Sequence, residues 1–443
     1  MYNSVENDLR DRIDRIKREN NSYSVGRITK VTDYILEVRG LENVSYYEEV
    51  HIQGGSVGYV NSISANSVSV AVVRPGSDFF VGDTVTATGK EFCARYCAGS
   101  VGHIIDMFGR DKLADAEYAD LMELPLEAPT VPIIDRSPVC RPLHTGIAGV
   151  DMIFPIGRGQ RQLIIGDKKT GKTQIALDTI ANQANERMLC IYVAIGKTKK
   201  NIREIYYELS RRGAMNYTIM LCAFNDDLPP VLSLTPYAAL AIAERYMMAG
   251  NDVLVVLDDL KRHADAYREI SLLTGRVPGR EAYPSDIFYT HSRLLEKGCQ
   301  HVNGGSITIL PITETKGSDV TDYISTNLIS ITDGQIVLSK KNFDKGQKPA
   351  IDYGLSVSRL GGAVQTSAVK AVGTKTRREL LSYMEKKDIY ELSNVDEMSP
   401  EMRNLLKRGS LLLENLCQYK YSPRTEEEII NTFRNIDKQA EQK

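Results

Sequence analysis

One eight-residue stretch limits what this chain can become more than any other: Gly166-Asp167-Lys168-Lys169-Thr170-Gly171-Lys172-Thr173. It fits GxxxxGK[ST], follows the apolar run Gln162–Ile165 and opens a helix-prone stretch, which is the context such a loop requires. The first amides of a helix lack intrahelical acceptors, so they and the loop N–H groups can wrap phosphate oxygens. In that arrangement Lys172 reaches the β- and γ-phosphates and Thr173 holds Mg²⁺ through its hydroxyl. The metal calls for a carboxylate. Val253–Leu257 is an apolar run ending in Asp258-Asp259, so Asp258 stands at the tip of a buried strand and can join the Mg²⁺ shell. The ligand implied is ATP or ADP with Mg²⁺.

The rest of the chain falls into four stretches around that loop. Residues 93–365 alternate apolar strand-like runs with helical ones. Gln162–Ile165, Leu189–Ile195, Tyr217–Ala223, Val253–Leu257, Ser306–Pro311 and Leu328–Thr332 read as buried strands, with helices over Lys172–Met188 and Pro236–Gly250. This predicts an α/β domain, a parallel sheet covered by helices on both faces. Residues 23–92 are short β-branched runs broken by Gly, Asn, Asp and Ser, the pattern of a small β-barrel. Residues 366–443 are polar, helix-prone and without strand signal, which predicts a small C-terminal helical domain. Residues 1–22 read as a charged helix with one apolar stripe, Val5, Leu9, Ile13 and Ile16. Such a stripe is either one side of a docking contact with another subunit or a solvated terminus.

Composition narrows the function. The formal net charge of −2 disfavours both sequence-independent DNA binding and a polybasic membrane anchor. The barrel stretch carries five Lys/Arg against eight acids, the wrong sign for a phosphate groove, so no nucleic-acid partner is expected. No apolar run is long enough for a transmembrane helix, and the charged N-terminus is not a secretory signal. Seven scattered cysteines, with Cys93 and Cys97 spaced CxxxC, read as free thiols rather than zinc ligands or disulfides.

Several long segments carry a resemblance over nearly the whole chain. PIGRGQRQLIIGDKKTGKTQIALDTI (155–180), the segment from Asp258 to Lys297, GSITILPITETKGSDVTDYISTNLISITDGQI (305–336) and GLSVSRLGGAVQ (354–365) resemble the α subunit of F-type rotary ATP synthases. VGRITKVTDYILEVRGL (25–41) is similar to the start of that family's N-terminal barrel. The resemblance implies a crown barrel, a RecA-like nucleotide domain and a C-terminal helical domain, here shortened. It implies an alternating ring with a β-like catalytic subunit around a central-shaft subunit, and residues 1–22 are a candidate stalk contact. Membrane association would come only through other subunits, on the inner face of the cell membrane with this chain in the cytoplasm.

Departures from the family pattern bear on activity. Hydrolysis needs a carboxylate to orient the attacking water. The catalytic β chains place Glu after the Gly that ends the strand following the phosphate-loop helix, and α chains place Gln. Here the sequence is Ala194-Ile195-Gly196-Lys197. A protonated lysine cannot act as that base. Lys197 is expected either beside the γ-phosphate or lytic water, or pointing to solvent in the run Lys197-Thr198-Lys199-Lys200. Lys169 stands where the family has Gln. On the adenine side, Phe343, Lys348 and Pro349 correspond to a stretch with Arg in place of Lys348, and Gln418 matches an adenine-contacting Gln whose companion is replaced by Lys420. Arg359 in Ser356-Val357-Ser358-Arg359 matches the arginine finger that acts in trans on a neighbour's site; otherwise it would be a buried structural ion pair. The expectation is an α-like, nucleotide-binding subunit that does not turn ATP over itself. Two alternatives are a self-sufficient hexameric ATPase of a secretion-type motor, disfavoured by the absent Glu, and a ring nucleic-acid translocase, disfavoured by the acidic barrel.

Overall fold

Alternating β-branched residues with closely spaced turns build the first part of the chain. The computed structural model describes residues 24–114, 116–390 and 400–436; the helix expected over residues 1–22 lies outside them. These residues divide into two compact units that part between Cys93 and Ala94. In the first, strands β1 (Val25–Thr32), β2 (Ile35–Arg39), β3 (Glu48–Ile52), β4 (Ser56–Ile63), β5 (Val68–Arg74) and β6 (Thr84–Glu91) form a closed barrel. Its order is β1-β2-β5-β4-β3-β6, and β6 closes on β1 through Val25–Arg27. Ile28, Leu36, Val38, Val50, Val70, Val72 and Val85 fill it, each buried. Closure leaves no unpaired ladder to recruit a stray strand.

In the second unit the long apolar runs become the middle of a mixed sheet. After the short strand β7 (Ile104–Ile105) come β8 (Leu163–Gly166), β9 (Met188–Lys197), β10 (Thr218–Phe224), β11 (Asp252–Asp258), β12 (Ser306–Glu314) and β13 (Gly334–Leu338). The order is β7-β10-β9-β11-β12-β8-β13, and every pairing along it is parallel. These strands are almost wholly buried, which is why they read as continuous apolar runs rather than alternations. Parallel strands deliver their C-terminal ends to one side of the sheet, so Gly166, Lys197, Asp258 and Glu314 emerge together there.

Helices cover the sheet: α1 (Lys172–Ala181), α2 (Lys199–Arg211), α3 (Pro229–Met248), α4 (Leu260–Leu273), α5 (Ile287–Leu295) and α6 (Tyr323–Ile331). Three expectations need correction. Helix α1 stops at Ala181, and Met188 already opens β9. Helix α3 begins before Pro236, at Pro229, where a missing N–H costs nothing in the first turn. Leu328–Thr332 is not a strand. The Asp322 carboxylate accepts from the Ser325 N–H at 2.7 Å and caps α6. Ile324 and Leu328, one helical turn apart, are both buried, and the strand follows at Gly334–Leu338. A short apolar β-branched run fits either state, and the cap decided it.

Beyond the short α7 (Lys340–Asp344), helices α8 (Ser367–Tyr390), α9 (Pro400–Leu416) and α10 (Glu426–Arg434) complete the unit. Leu380, Tyr383, Leu412, Leu416, Ile429 and Phe433 share one core with Met152, Phe154 and Tyr353. All seven cysteines are free thiols, and no helix among the described residues is long and apolar enough to cross a membrane.

At the opposite end of β11 from Asp258, the Asp252 carboxylate ties three segments together. Arg141 binds it in bidentate fashion at 2.8 and 2.7 Å, Arg158 donates at 2.8 Å and the Ser306 hydroxyl at 2.6 Å. Burial pushes the Asp252 pKa up, but the hydrogen bonds from Arg141, Ser306 and Arg158 outweigh it and hold it below the ordinary value of 3.8.

Two predictions follow from this packing. A Cβ on Gly409 would lie 2.1 Å from the Tyr383 ring, so α9 can approach α8 only through glycine. Gly409→Ala should lower the denaturation midpoint, overpacking costing roughly 1–3 kcal/mol against about 1 kcal/mol of helix propensity gained. A stabilised variant would mean that the Tyr383 ring yields freely. For Asp252, a depressed folded pKa means stability that is complete above pH 3.8 and is lost as pH falls through the folded value. The gap between parent and Asp252→Asn in denaturant midpoint should therefore be full at neutral pH and shrink below about pH 4; a gap independent of pH would contradict the ion-pair account.

Candidate functional site

The phosphate loop leaves β8 at Gly166, where a Cβ would sit 2.6 Å from the Leu338 carbonyl of β13, so the strand end accepts only glycine without a shift. The chain reverses through positive φ at Lys169 (64°) and Gly171 (100°) before α1 begins. Two internal locks hold this shape. The Thr170 hydroxyl donates to the Asp167 carbonyl at 2.8 Å. The Lys172 ammonium, on a residue only 8% exposed, donates to the carbonyls of Gly166 and Asp167 at 2.8 and 2.6 Å. Burial pulls the Lys172 pKa down, with Glu314, Asp258 and Asp259 opposing.

Asp167 serves the loop from the far side. Its carboxylate accepts from the Thr315 hydroxyl at 2.7 Å and from the Ser318 N–H and hydroxyl at 2.8 and 2.9 Å. Burial raises its pKa, but these bonds and Lys172 outweigh burial and leave it lowered. Lys168 is turned outward, 3.4 Å from Glu314. Gly166, Asp167 and Lys168 therefore shape the loop without lining the cavity in front of it.

That cavity has a volume of about 640 Å³ and gathers most of the residues singled out from sequence. Lys169 to Thr173, Lys197 and Asp258 line one end of it, and Phe343, Lys348, Pro349, Gln418 and Lys420 the other. Asp258 is the hub of the first group. One carboxylate oxygen accepts from the Thr173 hydroxyl at 2.7 Å and the Tyr192 hydroxyl at 2.8 Å; the other lies 2.7 Å from the Lys197 ammonium. Lys197 thus turns inward onto Asp258, while Lys199 and Lys200 pair outside with Asp226 and Glu204. Burial works against the Lys197 charge, but Asp258 and Asp259 overcome it and raise its pKa, so it is an ammonium at neutral pH. The neighbouring Asp259 is pushed up to about 6 by burial, Lys197 opposing and Asp258 adding to the rise. Its carboxylate accepts from the Arg262 N–H at 2.9 Å.

At the other end, Lys348 lies over the Phe343 ring, 5.3 Å from its centroid. The Gln418 side chain is already taken up by backbone: its amide donates to the carbonyls of Gly146 and Ser422, both at 2.6 Å, and its oxygen accepts from the Ala148 N–H at 3.1 Å. It braces the segment rather than presenting an open amide. The Tyr421 N–H bonds Asp178 of α1 at 2.8 Å, and the Arg212 guanidinium covers the Tyr421 ring at 3.5 Å, which seats the segment against α1.

Sequence reasoning missed three contributors. Tyr419 lines the cavity and is 87% exposed, an open aromatic face between two residues already singled out; its neighbours were the available signal. Glu314, at the end of β12, was legible as the C-terminus of a central strand. Tyr192 had no signal, since only the parallel pairing of β9 with β11 brings its hydroxyl to Asp258.

Arg359 lies elsewhere. It follows the short strand Val357–Ser358, is exposed, and does not line this cavity. Its guanidinium makes one long contact, to the Ile329 carbonyl at 3.5 Å, and no ion pair with any described residue. The buried structural ion pair weighed above is not what the fold provides.

A threonine hydroxyl and one carboxylate are ligands of the type a hard cation such as Mg²⁺ takes alongside water and phosphate, but the carboxylate is already paired with the Lys197 ammonium, which such an ion would have to displace. Among the described residues no cluster of three or more His, Cys, Asp or Glu could cage a metal by itself.

Comparison with known proteins accords with this geometry. A family model described as "ATP synthase alpha/beta family, nucleotide-binding domain" matches residues 146–358. The ATP synthase subunit alpha of Anaplasma marginale (strain Florida) is 42% identical over 433 residues, 95% of this chain and 85% of that one. Those of Macrococcus caseolyticus and Limosilactobacillus fermentum are also 42% identical, over 90% and 92% of this chain and 80% of theirs. With a closed barrel, a parallel sheet carrying a phosphate loop, and this identity over nearly its whole length, the chain belongs to the family of ATP synthase α subunits, the nucleotide-binding α chains of rotary ATPases.

Proposed function

We propose that this chain binds ATP or ADP at its own site without turning it over, and lends Arg359 to the catalytic site of an adjacent β-like subunit in an alternating ring around a central shaft. The observation that carries the first half is the Lys197–Asp258 ion pair at 2.7 Å. It stands where catalysis would need a carboxylate free to orient water. Lys169 to Thr173 offer amides and the α1 N-terminus to the phosphates, and Lys172 is within the same cavity. Thr173 and Asp258 are the residues that would hold Mg²⁺, once it displaced the Lys197 ammonium from Asp258; when bound, it would neutralise charge on the β- and γ-phosphates. Phe343 and Tyr419 offer ring faces for a base, and Gln418, Lys348 and Pro349 frame them. Asp259, the neighbouring carboxylate, commits one oxygen to the Arg262 N–H at the start of α4.

The second half rests on Arg359 being exposed, unpaired with any described acid and outside its own cavity, as a group that works in a neighbour must be. On this reading residues 23–92 are the crown barrel, 93–365 the nucleotide-binding domain and 366–443 the C-terminal helical domain. The chain reaches a membrane only through other subunits, at its inner, cytoplasmic face.

Arg359→Ala should leave the ring assembled and its melting temperature unchanged while turnover by the mixed ring falls by roughly 10³ or more, the range for such fingers. Arg359→Lys should rescue little, because a point ammonium cannot replace the planar fork. The purified chain alone should release no phosphate from ATP. A ring with Arg359→Ala running at the parental rate, or steady turnover by the chain alone, would refute the corresponding half.

A further inference from the structure

We propose that the Lys197 ammonium stands in for the divalent cation at this site, so that the chain holds the phosphate tail of a nucleotide with little dependence on Mg²⁺. The inference rests on the nucleotide-binding reading above and concerns which cofactor that site requires.

Asp258 is 1% exposed, and both of its carboxylate oxygens are engaged. Thr173 and Tyr192 give neutral hydrogen bonds to one oxygen; only Lys197 brings positive charge to the other at contact distance, 2.7 Å, with Asp259 a further 3.9 Å from the same ammonium. A buried carboxylate without a cation is costly, and removing a partner exposes that cost. In a site with a neutral residue after Gly196, the cation must be captured from solution. Here it is tethered to the end of β9, beside the strand that ends in Asp258, with Ala194 and Asp258 in register. A divalent ion coordinated by Asp258 has to displace this ammonium and forfeit the pair, so its net gain is small.

The cavity as a whole is charged for a bare polyphosphate. Five lysines line it, Lys169, Lys172, Lys197, Lys348 and Lys420, against four acids. One of those acids, Asp178, faces Gln174 and the Tyr421 N–H rather than the loop. The positive excess needed to meet a nucleotide's phosphates is thus built from side chains instead of being imported with the metal.

The test is equilibrium titration of ATP into the full-length chain, once with excess Mg²⁺ and once with EDTA, for the parent and for Lys197→Gln. The parental Kd should differ between the two buffers by no more than about threefold. The variant should show a ratio of roughly tenfold or more, the size of one charge-assisted interaction. Lys197→Arg, which keeps the charge, should stay near the parental ratio. A parental ratio above tenfold overturns the proposal by itself, whether or not the glutamine variant folds. Equal ratios in parent and Lys197→Gln, with matching melting temperatures, also overturn it, since Lys197 would then not be the source. Failure of the parent to bind ATP in either buffer would instead sink the nucleotide-binding reading, and this proposal with it.

Discussion

A carboxylate sealed at the end of the central strand sets the terms for everything around the nucleotide cavity. Asp258 is nearly inaccessible to water, so it must be satisfied by the protein. Its partners arrive from two other elements: Thr173 from the first turn of α1, and Tyr192 and Lys197 from β9. The bond from Thr173 fixes where α1 starts, and with it the loop that turns into α1. Lys172 then fastens the loop to its own carbonyls, and Asp167 fastens it to Thr315 and Ser318. The phosphate cradle is therefore held by a chain of charge-assisted bonds reaching from β11 through α1 to the segment after β12.

The same network is what the proposed role of holding a nucleotide without cleaving it rests on. A lysine that is paired and kept protonated by two aspartates has no proton-accepting capacity. Two other carboxylates of the cavity are engaged as well: Asp259 commits one oxygen to the Arg262 N–H at the start of α4, and Glu314 pairs with Lys168. Arg359, the residue proposed to act in a neighbour, is exposed past the last strand of the sheet, with a long contact to the Ile329 carbonyl. On the proposed reading binding and chemistry are separated, one in the chain's own cavity and the other lent to a neighbour.

Much of this was legible before the fold was known, for reasons that can be stated. The phosphate loop announces itself because glycine and a small set of side chains are the only ones that fit its backbone. The β10, β9, β11 and β12 strands announce themselves because burial on both faces forbids polar residues. Leu328–Thr332 misled because a five-residue β-branched run carries no period, and the cap from Asp322 that settles it as helix lies upstream. The inward turn of Lys197 was not legible among four nearby basic and polar residues, since only the pairing of β9 with β11 brings it to Asp258. Gln418 shows the reverse: a residue type suited to reading a base is consumed by backbone groups at Gly146, Ala148 and Ser422, a demand visible only in three dimensions.

The central claim is that this cavity is a nucleotide site whose affinity is carried by the phosphate loop. Isothermal titration of ATP into the full-length chain and into Lys172→Ala tests it most directly. Lys172 contributes both its charge and its hold on the Gly166 and Asp167 carbonyls. The account predicts one saturable site in the parent and affinity reduced by about tenfold or more in the variant, with the fold retained. No saturable heat in the parent, or equal affinity in a folded Lys172→Ala chain, would contradict it.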